Sequence, residues 1–407
     1  MTKPVVIVGG GHAGGRVAER LRHGGFKEPI HVVGRETELP YERPPLSKAC
    51  LTGPDPIVNA YLIPPARWQE LGVTFHLGRE VTEIDRLRRC VKMNDGHSLS
   101  YHHLVLATGL TPRMLPVLVG VREQISYLRS FDDALRLRAR LRKGGRLLIV
   151  GAGLIGLEVA ASAVQLGMAV TIVEAAERPL MRLLPEGLAR WLSSAHRAAG
   201  IRILCARRIV RAEKTNSEVL VDLDDGVRIR ADEILVAIGA APNDGIARTA
   251  GLTVDDGIMV NARGETSDPD ISAVGDVARH DNVKFGARMR LESWRNAEDL
   301  AAVVAANLCG DRQDYGEVPW FWTDQYDWNI QIAGMPAPEM DVFERGMMGE
   351  RGYLAYYFEA GTLRGAVGIG CGRDIRMARE IMRSGAAIHR AELAGKGFRF
   401  AVEPVEA

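Results

Sequence analysis

The chain has 407 residues, too many for a single hydrophobic core, so two or three domains are expected. Apolar residues make up 46% and charged residues 25%, ordinary for a soluble globular protein, and a formal net charge of +1 gives no footprint for nucleic acid or a membrane surface. The first strand-like run starts at Pro4, leaving no room for a signal peptide, and no window approaches the ~20 apolar residues of a membrane helix, so a cytoplasmic protein is expected.

In chain order, the first informative stretch is VVIVGGGHAGGRVAE, residues 5–19. A short apolar run enters Gly9-x-Gly11-x-x-Gly14, and Val17 and Leu21 then share one helical face. In such a fingerprint the first glycine makes the tight turn and the second admits a pyrophosphate. The third lets helix and strand pack, so that the phosphates meet the positive helix N-terminus. His12 and Ala13 lie inside this turn. The next strand, PIHVVGRETE (29–38), ends at Gly34 and Arg35, with Glu36 as the nearest acid to accept from a ribose. LPYERPPLSKACL (39–51) carries two prolines that fix the backbone as a rigid loop, able to present Arg43 and Lys48 to a ligand. An exposed turn with ordinary surface cations is the plain alternative.

HLVLATGLTPR (103–113) is a strand ending in Ala107, Thr108 and Gly109, and EILVAIGAAPN (233–243) repeats it with Gly239. Between them, LLIVGAGLIGLEVA (147–160) supplies a second fingerprint, Gly151, Gly153 and Gly156, enclosing Leu154 and Ile155. The chain thus contains two similar α/β units and calls for two dinucleotides. In VTIVEAAERP (170–179), Glu174 ends the strand after the second fingerprint, where a carboxylate accepts from adenosine ribose and repels a 2′-phosphate. NAD is expected over NADP, while Arg178 and Arg182 nearby are the cations that an NADP reading would use. Glu158, in the first helical turn, is placed to meet the nicotinamide end; a first-turn acid favoured by the helix dipole is the bland reading. In TSDPDISAVGDVA (266–278), Gly275 permits close approach and Asp276 accepts a hydroxyl or caps a helix. LESWRNAEDLA (291–301) opens a helix at Glu292, Ser293 and Trp294. Trp320 and Trp322 in VPWFWTDQYDWNIQIAG (318–334) alternate along a strand and face one side, as a core pair or as part of a site. Finally, CGRDIRMAREIMRSG (371–385) places Arg376, Arg379 and Arg383 on one helix face, with Arg373 just upstream and Ile375, Ala378, Ile381 and Met382 opposite.

These segments together resemble the FAD-dependent, NADH-dependent ferredoxin reductases that serve bacterial Rieske oxygenases and cytochrome P450 systems. The resemblance covers almost the whole chain. It implies an α/β fold of two Rossmann-like, glutathione-reductase-like dinucleotide domains, the NAD domain inserted in the FAD domain, plus a small α/β C-terminal domain. The expected boundaries are 1–113 and 242–316 for FAD, 114–241 for NAD and 317–407 for the C-terminal domain. The resemblance also implies FAD contacts at Gly9, Gly11, His12, Ala13, Gly14, Glu36, Arg43, Lys48, Val81, Ala107, Thr108, Gly109, Arg129, Gly275, Asp276, Glu292, Ser293 and Trp294. For NAD it implies Gly151, Gly153, Leu154, Ile155, Gly156, Glu158, Glu174, Arg182 and Gly239. Lys48 and Glu158 would lie beside flavin and nicotinamide, Lys48 approaching from the FAD domain, with Trp320 and Trp322 between flavin and ferredoxin. Electrons would pass from NADH through FAD, one at a time, to an acidic [2Fe–2S] ferredoxin, with Arg373, Arg376, Arg379 and Arg383 as docking candidates. Arg35 departs from the family, many of whose members carry an acid there.

Cysteine usage narrows the chemistry. Cys50, Cys90, Cys205, Cys309 and Cys371 are odd in number and dispersed, which argues against structural disulfides, a zinc site or any metal. Disulfide reductases of this layout need a cysteine pair in the first FAD helix, and only Cys50 is there. A rubredoxin reductase, an NADH oxidase using Cys50, or a non-catalytic flavoprotein resembling apoptosis-inducing factor are the alternatives.

Overall fold

The computed structural model describes residues 4–54, 60–181, 183–215 and 218–386. The chain divides into two compact units. The first comprises Met1–Pro45, Asp55–Thr111 and Ala240–Glu317; the second comprises Leu46–Pro54, Pro112–Gly239 and Val318–Ala407. Among the described residues no helix is long and apolar enough to cross a membrane.

In the first unit, Val5–Val8 is buried along its whole length, as a strand covered on both faces must be. It is the middle strand of a five-stranded parallel sheet, in the order Ile271–Ala273, His103–Leu106, Val5–Val8, Ile30–Gly34, Val73–Leu77. The helix His12–His23 buries Val17 and Leu21, the face expected from their spacing, and packs against the helix Trp294–Leu308. The two returns to this unit are tied at their ends. The Thr108 hydroxyl donates to the Asn243 carbonyl and the Asn243 amide donates to the Thr108 carbonyl, both at 2.8 Å.

The second unit repeats the plan. Its parallel sheet runs Arg202–Leu204, Ala169–Val173, Arg146–Val150, Glu233–Val236, Ile125–Ser126, and the helix Leu154–Gln165 follows the middle strand. An antiparallel sheet follows in the C-terminal region, ordered Trp320–Gln325, Trp328–Gly334, Thr362–Ile369, Leu354–Glu359, Asp341–Arg345. The helix Gly372–Ser384 packs on the strands Trp328–Gly334 and Thr362–Ile369 and buries Ile375, Ala378, Ile381 and Met382. One hydrophobic cluster runs through these two five-stranded sheets, from Leu147 and Ile149 to Ile330, Ile332 and Val367, and takes in Leu51. The loop segment bearing Lys48 therefore packs with the second unit, because Leu51 is buried in that unit's core. The fold is α/β, two Rossmann-like units with a C-terminal α/β region.

Candidate active site

The two fingerprints have the same backbone construction. A Cβ on Gly9 would come within 2.1 Å of the Ala107 carbonyl oxygen, and one on Gly14 within 1.9 Å of the Gly9 oxygen. In the second unit a Cβ on Gly151 would stand 2.5 Å from the Ala237 oxygen, and one on Gly156 stands 2.2 Å from the Gly151 oxygen. Gly11 and Gly153 are the N-caps, and neither helix has a side chain capping its free N–H groups. Each turn therefore presents an uncovered, positive helix end that fits a dinucleotide pyrophosphate. Ile155, in the first turn of the second helix, is 44% exposed.

Around the first turn, Arg43 comes close enough that a Cβ on Gly11 would lie 3.3 Å from its guanidinium. Asp276 lies near enough to Arg43 to attract it electrostatically, and Gly275 is packed so tightly that a Cβ there would meet the Ala13 methyl at 2.8 Å. His12 Nε2 lies 2.6 Å from Glu298, which also accepts from Arg16 at 2.5 Å. Burial would raise the Glu298 carboxyl, but these hydrogen bonds outweigh it and hold the group below its ordinary value. His12 Nδ1 is buried without a hydrogen-bond partner among the described groups, an atom suited to a ligand's phosphate. The Trp294 and His12 rings meet edge to face at 5.4 Å.

Glu36 is held by side chains and keeps further lone pairs as acceptors. It accepts from Arg43 at 2.8 Å and from the Tyr41 hydroxyl, while Arg35 is exposed. Val81 is a buried residue of the strand Val81–Asp85. Gly109 has a left-handed backbone, φ +64°. Ser293 caps the helix Trp294–Leu308 by accepting from the Asn296 amide at 3.1 Å, and Glu292 pairs with Arg290 at 2.7 Å. Arg129 lies in the second unit, its backbone N–H bonded to Asp133 at 3.1 Å.

Glu174 contrasts with Glu36. One oxygen accepts from the Ala152 amide at 2.6 Å and the other from the Ala176 amide at 2.8 Å. Backbone donors lock the carboxylate onto the fingerprint loop and leave lone pairs for ribose hydroxyls. Gly239 has φ +97° and open space around it. Arg182 lies outside the described residues.

Glu158 is 5% exposed, in the helix behind the second fingerprint. The Lys48 ammonium lies 2.7 Å from Oε2, which also accepts from the Ser47 hydroxyl, while the Thr323 hydroxyl donates to Oε1 at 2.6 Å. Ser162, on the same helix, donates to the Ser47 carbonyl at 2.7 Å and so fixes the loop that carries Lys48. A buried carboxylate is tolerated only when a countercharge and further donors satisfy it, and here three groups do so. Lys48 and Glu158 were anticipated from sequence; Ser47 and Thr323 were not, although both sit inside the quoted motifs.

Trp320 and Trp322 share one face of their strand, as their alternation requires, and stack at 5.0 Å with an interplanar angle of 24°. Both are half-buried, with the indole N–H of Trp320 on Gln331 and that of Trp322 on Asp324. The Arg379 guanidinium lies over the Trp320 ring, 5.4 Å from its centre. Arg379 thus parts from its neighbours: Arg373, Arg376 and Arg383 are exposed, and Arg383 pairs with Glu380.

A cleft of about 360 Å³ in the second unit is lined by Arg146, Ala169 and Arg202 at the starts of the parallel strands. It opens at the end of the sheet opposite the fingerprint turn, away from the carboxyl ends where such sheets bind ligands. The five cysteines are free, and Cys50 is buried, which pushes its thiol pKa up.

Comparison with known proteins gives the family and the fold. Residues 3–301 match the family profile described as pyridine nucleotide-disulphide oxidoreductase, and residues 320–401 match the one described as reductase C-terminal. The anthranilate 1,2-dioxygenase system ferredoxin–NAD(+) reductase component of Burkholderia cepacia is 39% identical, over 96% of this chain and 97% of that protein. Putidaredoxin reductase of Pseudomonas putida is 38% identical, over 87% of this chain and 86% of its own length. The solved ferredoxin reductase for the CYP199A2 system from Rhodopseudomonas palustris is 37% identical, covers 98% of both chains and superposes with a TM-score of 0.92. The reductase chain of the covalent putidaredoxin reductase–putidaredoxin complex gives the same score at 35% identity, covering 97% of this chain and 96% of its own.

Proposed function

The chain belongs to the pyridine nucleotide-disulphide oxidoreductase family, and from that premise we propose that it is an NADH-dependent, FAD-containing reductase of a [2Fe–2S] ferredoxin, which in turn supplies a cytochrome P450 or Rieske dioxygenase in the cytoplasm. The relatives named as ferredoxin–NAD(+) reductase and putidaredoxin reductase support this acceptor class. The observation that carries the reading is the ion pair of Lys48 with the buried Glu158 behind the second fingerprint, in a chain whose 39–51 loop holds one cysteine and no dithiol.

NADH is held in the second unit. Its pyrophosphate would meet the uncapped helix start at Gly153 and its adenosine ribose would donate to Glu174, so a 2′-phosphate would face a fixed negative charge. The nicotinamide end would lie toward Glu158, whose carboxylate orients Lys48 through their 2.7 Å contact. FAD, bound through the Gly9–Gly14 turn, Arg43 and Asp276, supplies the exchange between a hydride and single electrons. Each NADH yields two electrons and one proton, and two ferredoxins take one electron each. Ser47 and Thr323 keep the ion pair in one geometry, so Lys48 would present a fixed positive charge beside the nicotinamide.

The exposed Arg373 and Arg376 give the C-terminal helix a cationic face suited to an acidic ferredoxin. Burial pushes the Cys50 thiol pKa up, which speaks against its use as a peroxide-reducing thiolate. The test is NADH-driven reduction of a panel of [2Fe–2S] ferredoxins and a rubredoxin, compared with oxygen alone. Fast reduction of at least one ferredoxin is expected. Turnover with oxygen or rubredoxin only would overturn the reading.

A further inference from the structure

A line of hydrogen bonds leaves Glu158 on the side away from Lys48. The Thr323 hydroxyl donates to Glu158 Oε1 at 2.6 Å, and Gln325 Nε2 donates to Thr323 Oγ1 at 3.0 Å. His196 Nε2 lies 2.7 Å from Gln325 Oε1, and the Tyr326 hydroxyl lies 3.1 Å from His196 Nδ1. Thr323, Gln325 and His196 are at most 1% exposed, whereas Tyr326 is 37% exposed. The line therefore runs from a buried carboxylate to the surface of the second unit.

Its direction follows from the carboxylate. An ionised carboxylate only accepts, so Thr323 must donate to it and accept from the Gln325 amide nitrogen. That turns the amide oxygen toward His196, whose Nε2 must then carry the proton. A neutral imidazole accepts at Nδ1, so Tyr326 donates. Burial, which lowers the His196 pKa, agrees with the neutral ring. Every donor thus points toward Glu158. The amide in the middle excludes a proton wire, because its oxygen accepts and its nitrogen donates and no atom does both. What remains is a chain of aligned dipoles, each polarising the next by ~10–30%. The groups facing Glu158 are Lys48, Ser47 and Thr323, and those facing His196 are Gln325 and Tyr326.

We propose that Thr323, Gln325, His196 and Tyr326 are positioning residues for hydride transfer, holding and polarising Glu158 so that Lys48 stays in register. The inference rests on the reading of Glu158 given above. The experiment mixes NADH rapidly with FAD-loaded protein and records the limiting rate of flavin bleaching, the half-saturating NADH concentration, FAD content and Tm. Glu158→Gln is the reference.

Thr323→Val removes one charge-assisted donor and keeps the shape, so the limiting rate should fall about tenfold with half-saturation unchanged. Thr323→Ser restores the hydroxyl and should return the rate to within about twofold of wild type, a rescue that a purely steric role would not give. Gln325→Glu puts an acceptor where Thr323 needs a donor and should also slow bleaching. Tyr326→Phe, at the far end, should have the smallest effect. Wild-type rates in Thr323→Val and Gln325→Glu, with Glu158→Gln slowed, would overturn the proposal. Should Thr323→Val fail to fold, a wild-type rate in Gln325→Glu does so alone. A wild-type rate in Glu158→Gln would instead overturn the reading of Glu158 itself.

Discussion

The first and second parallel sheets were built on one plan and then diverged at their side chains. In both, the strand beside the fingerprint strand begins with a buried polar residue: His103 lies opposite Val5, and Glu233 lies opposite Leu147. In both, a serine on the outer strand answers it. Ser272 bonds His103 at 2.9 Å, and Ser126 bonds Glu233 at 2.6 Å, at the same register in each sheet. The acids after the fingerprints diverge likewise: Glu174 is held by backbone amides and Glu36 by Arg43 and Tyr41. Backbone geometry was kept because the glycine contacts leave no room, whereas side-chain chemistry could follow two different ligands.

The largest effects should come from the shared backbone. Gly14→Ala and Gly156→Ala each force a methyl onto a carbonyl oxygen at 1.9 and 2.2 Å. Overpacking against backbone costs about 3 kcal/mol or more, roughly a hundredfold in affinity. Gly14→Ala should yield colourless protein, measured by flavin absorbance after purification. Gly156→Ala should stay yellow and fail to bleach with NADH. If both variants lost flavin alike, the two turns would not serve separate nucleotides.

Next comes acid, which should split the two sheets. Burial pushes the His103 pKa down from 6.5 to about 4. A depressed folded value means the stability it contributes is present above 6.5 and is lost as pH falls toward 4, amounting to about 3 kcal/mol. Glu233 runs the other way. Burial raises it above 4.5 despite Ser126 and Arg140, so its contribution is present at low pH and lost as pH rises through the folded value. Hydrogen exchange at pH 7 and pH 5 should show His103–Leu106 losing protection more than Glu233–Val236. His103→Gln should remove the difference; equal loss in both strands would contradict it.

Glu174→Ala leaves the Ala152 and Ala176 amides without their acceptor and should cost about 1–3 kcal/mol in NADH recognition. The ratio of kcat/KM for NADH to that for NADPH should fall accordingly. Glu36→Ala should alter FAD affinity less, because it also frees Arg43 to meet a phosphate. Equal use of NADH and NADPH by wild type would remove the role given to Glu174.

The smallest effect concerns the arginine helix, where the structure separates the four docking candidates. Arg379 is stacked on Trp320, so the exposed Arg373 and Arg376 are the better pair. Arg373→Glu with Arg376→Glu should slow ferredoxin reduction severalfold at low salt, shrink in effect as ionic strength rises, and leave ferricyanide reduction intact. Arg379→Glu should slow it in a way that salt does not relieve. Identical salt dependence for the two would place all three on one docking face.

Amino-acid order alone determined what depends on near neighbours. Strand, glycine turn and helix are adjacent in sequence, so both fingerprints were legible. So were the buried Ile375–Met382 stripe and the shared face of Trp320 and Trp322, since both follow from helical and strand periodicity. Tertiary structure decided which distant groups meet. Ser47 and Thr323 reach Glu158 across 111 and 165 residues, and His12 meets Glu298 across 286. Packing buries each of these two acids, and a buried carboxylate must take whatever donors the fold brings to it. No periodicity encodes that choice. It also claimed Glu36 for Arg43 and Tyr41, a local match whose outcome depended on which way the rigid proline loop turned its side chains.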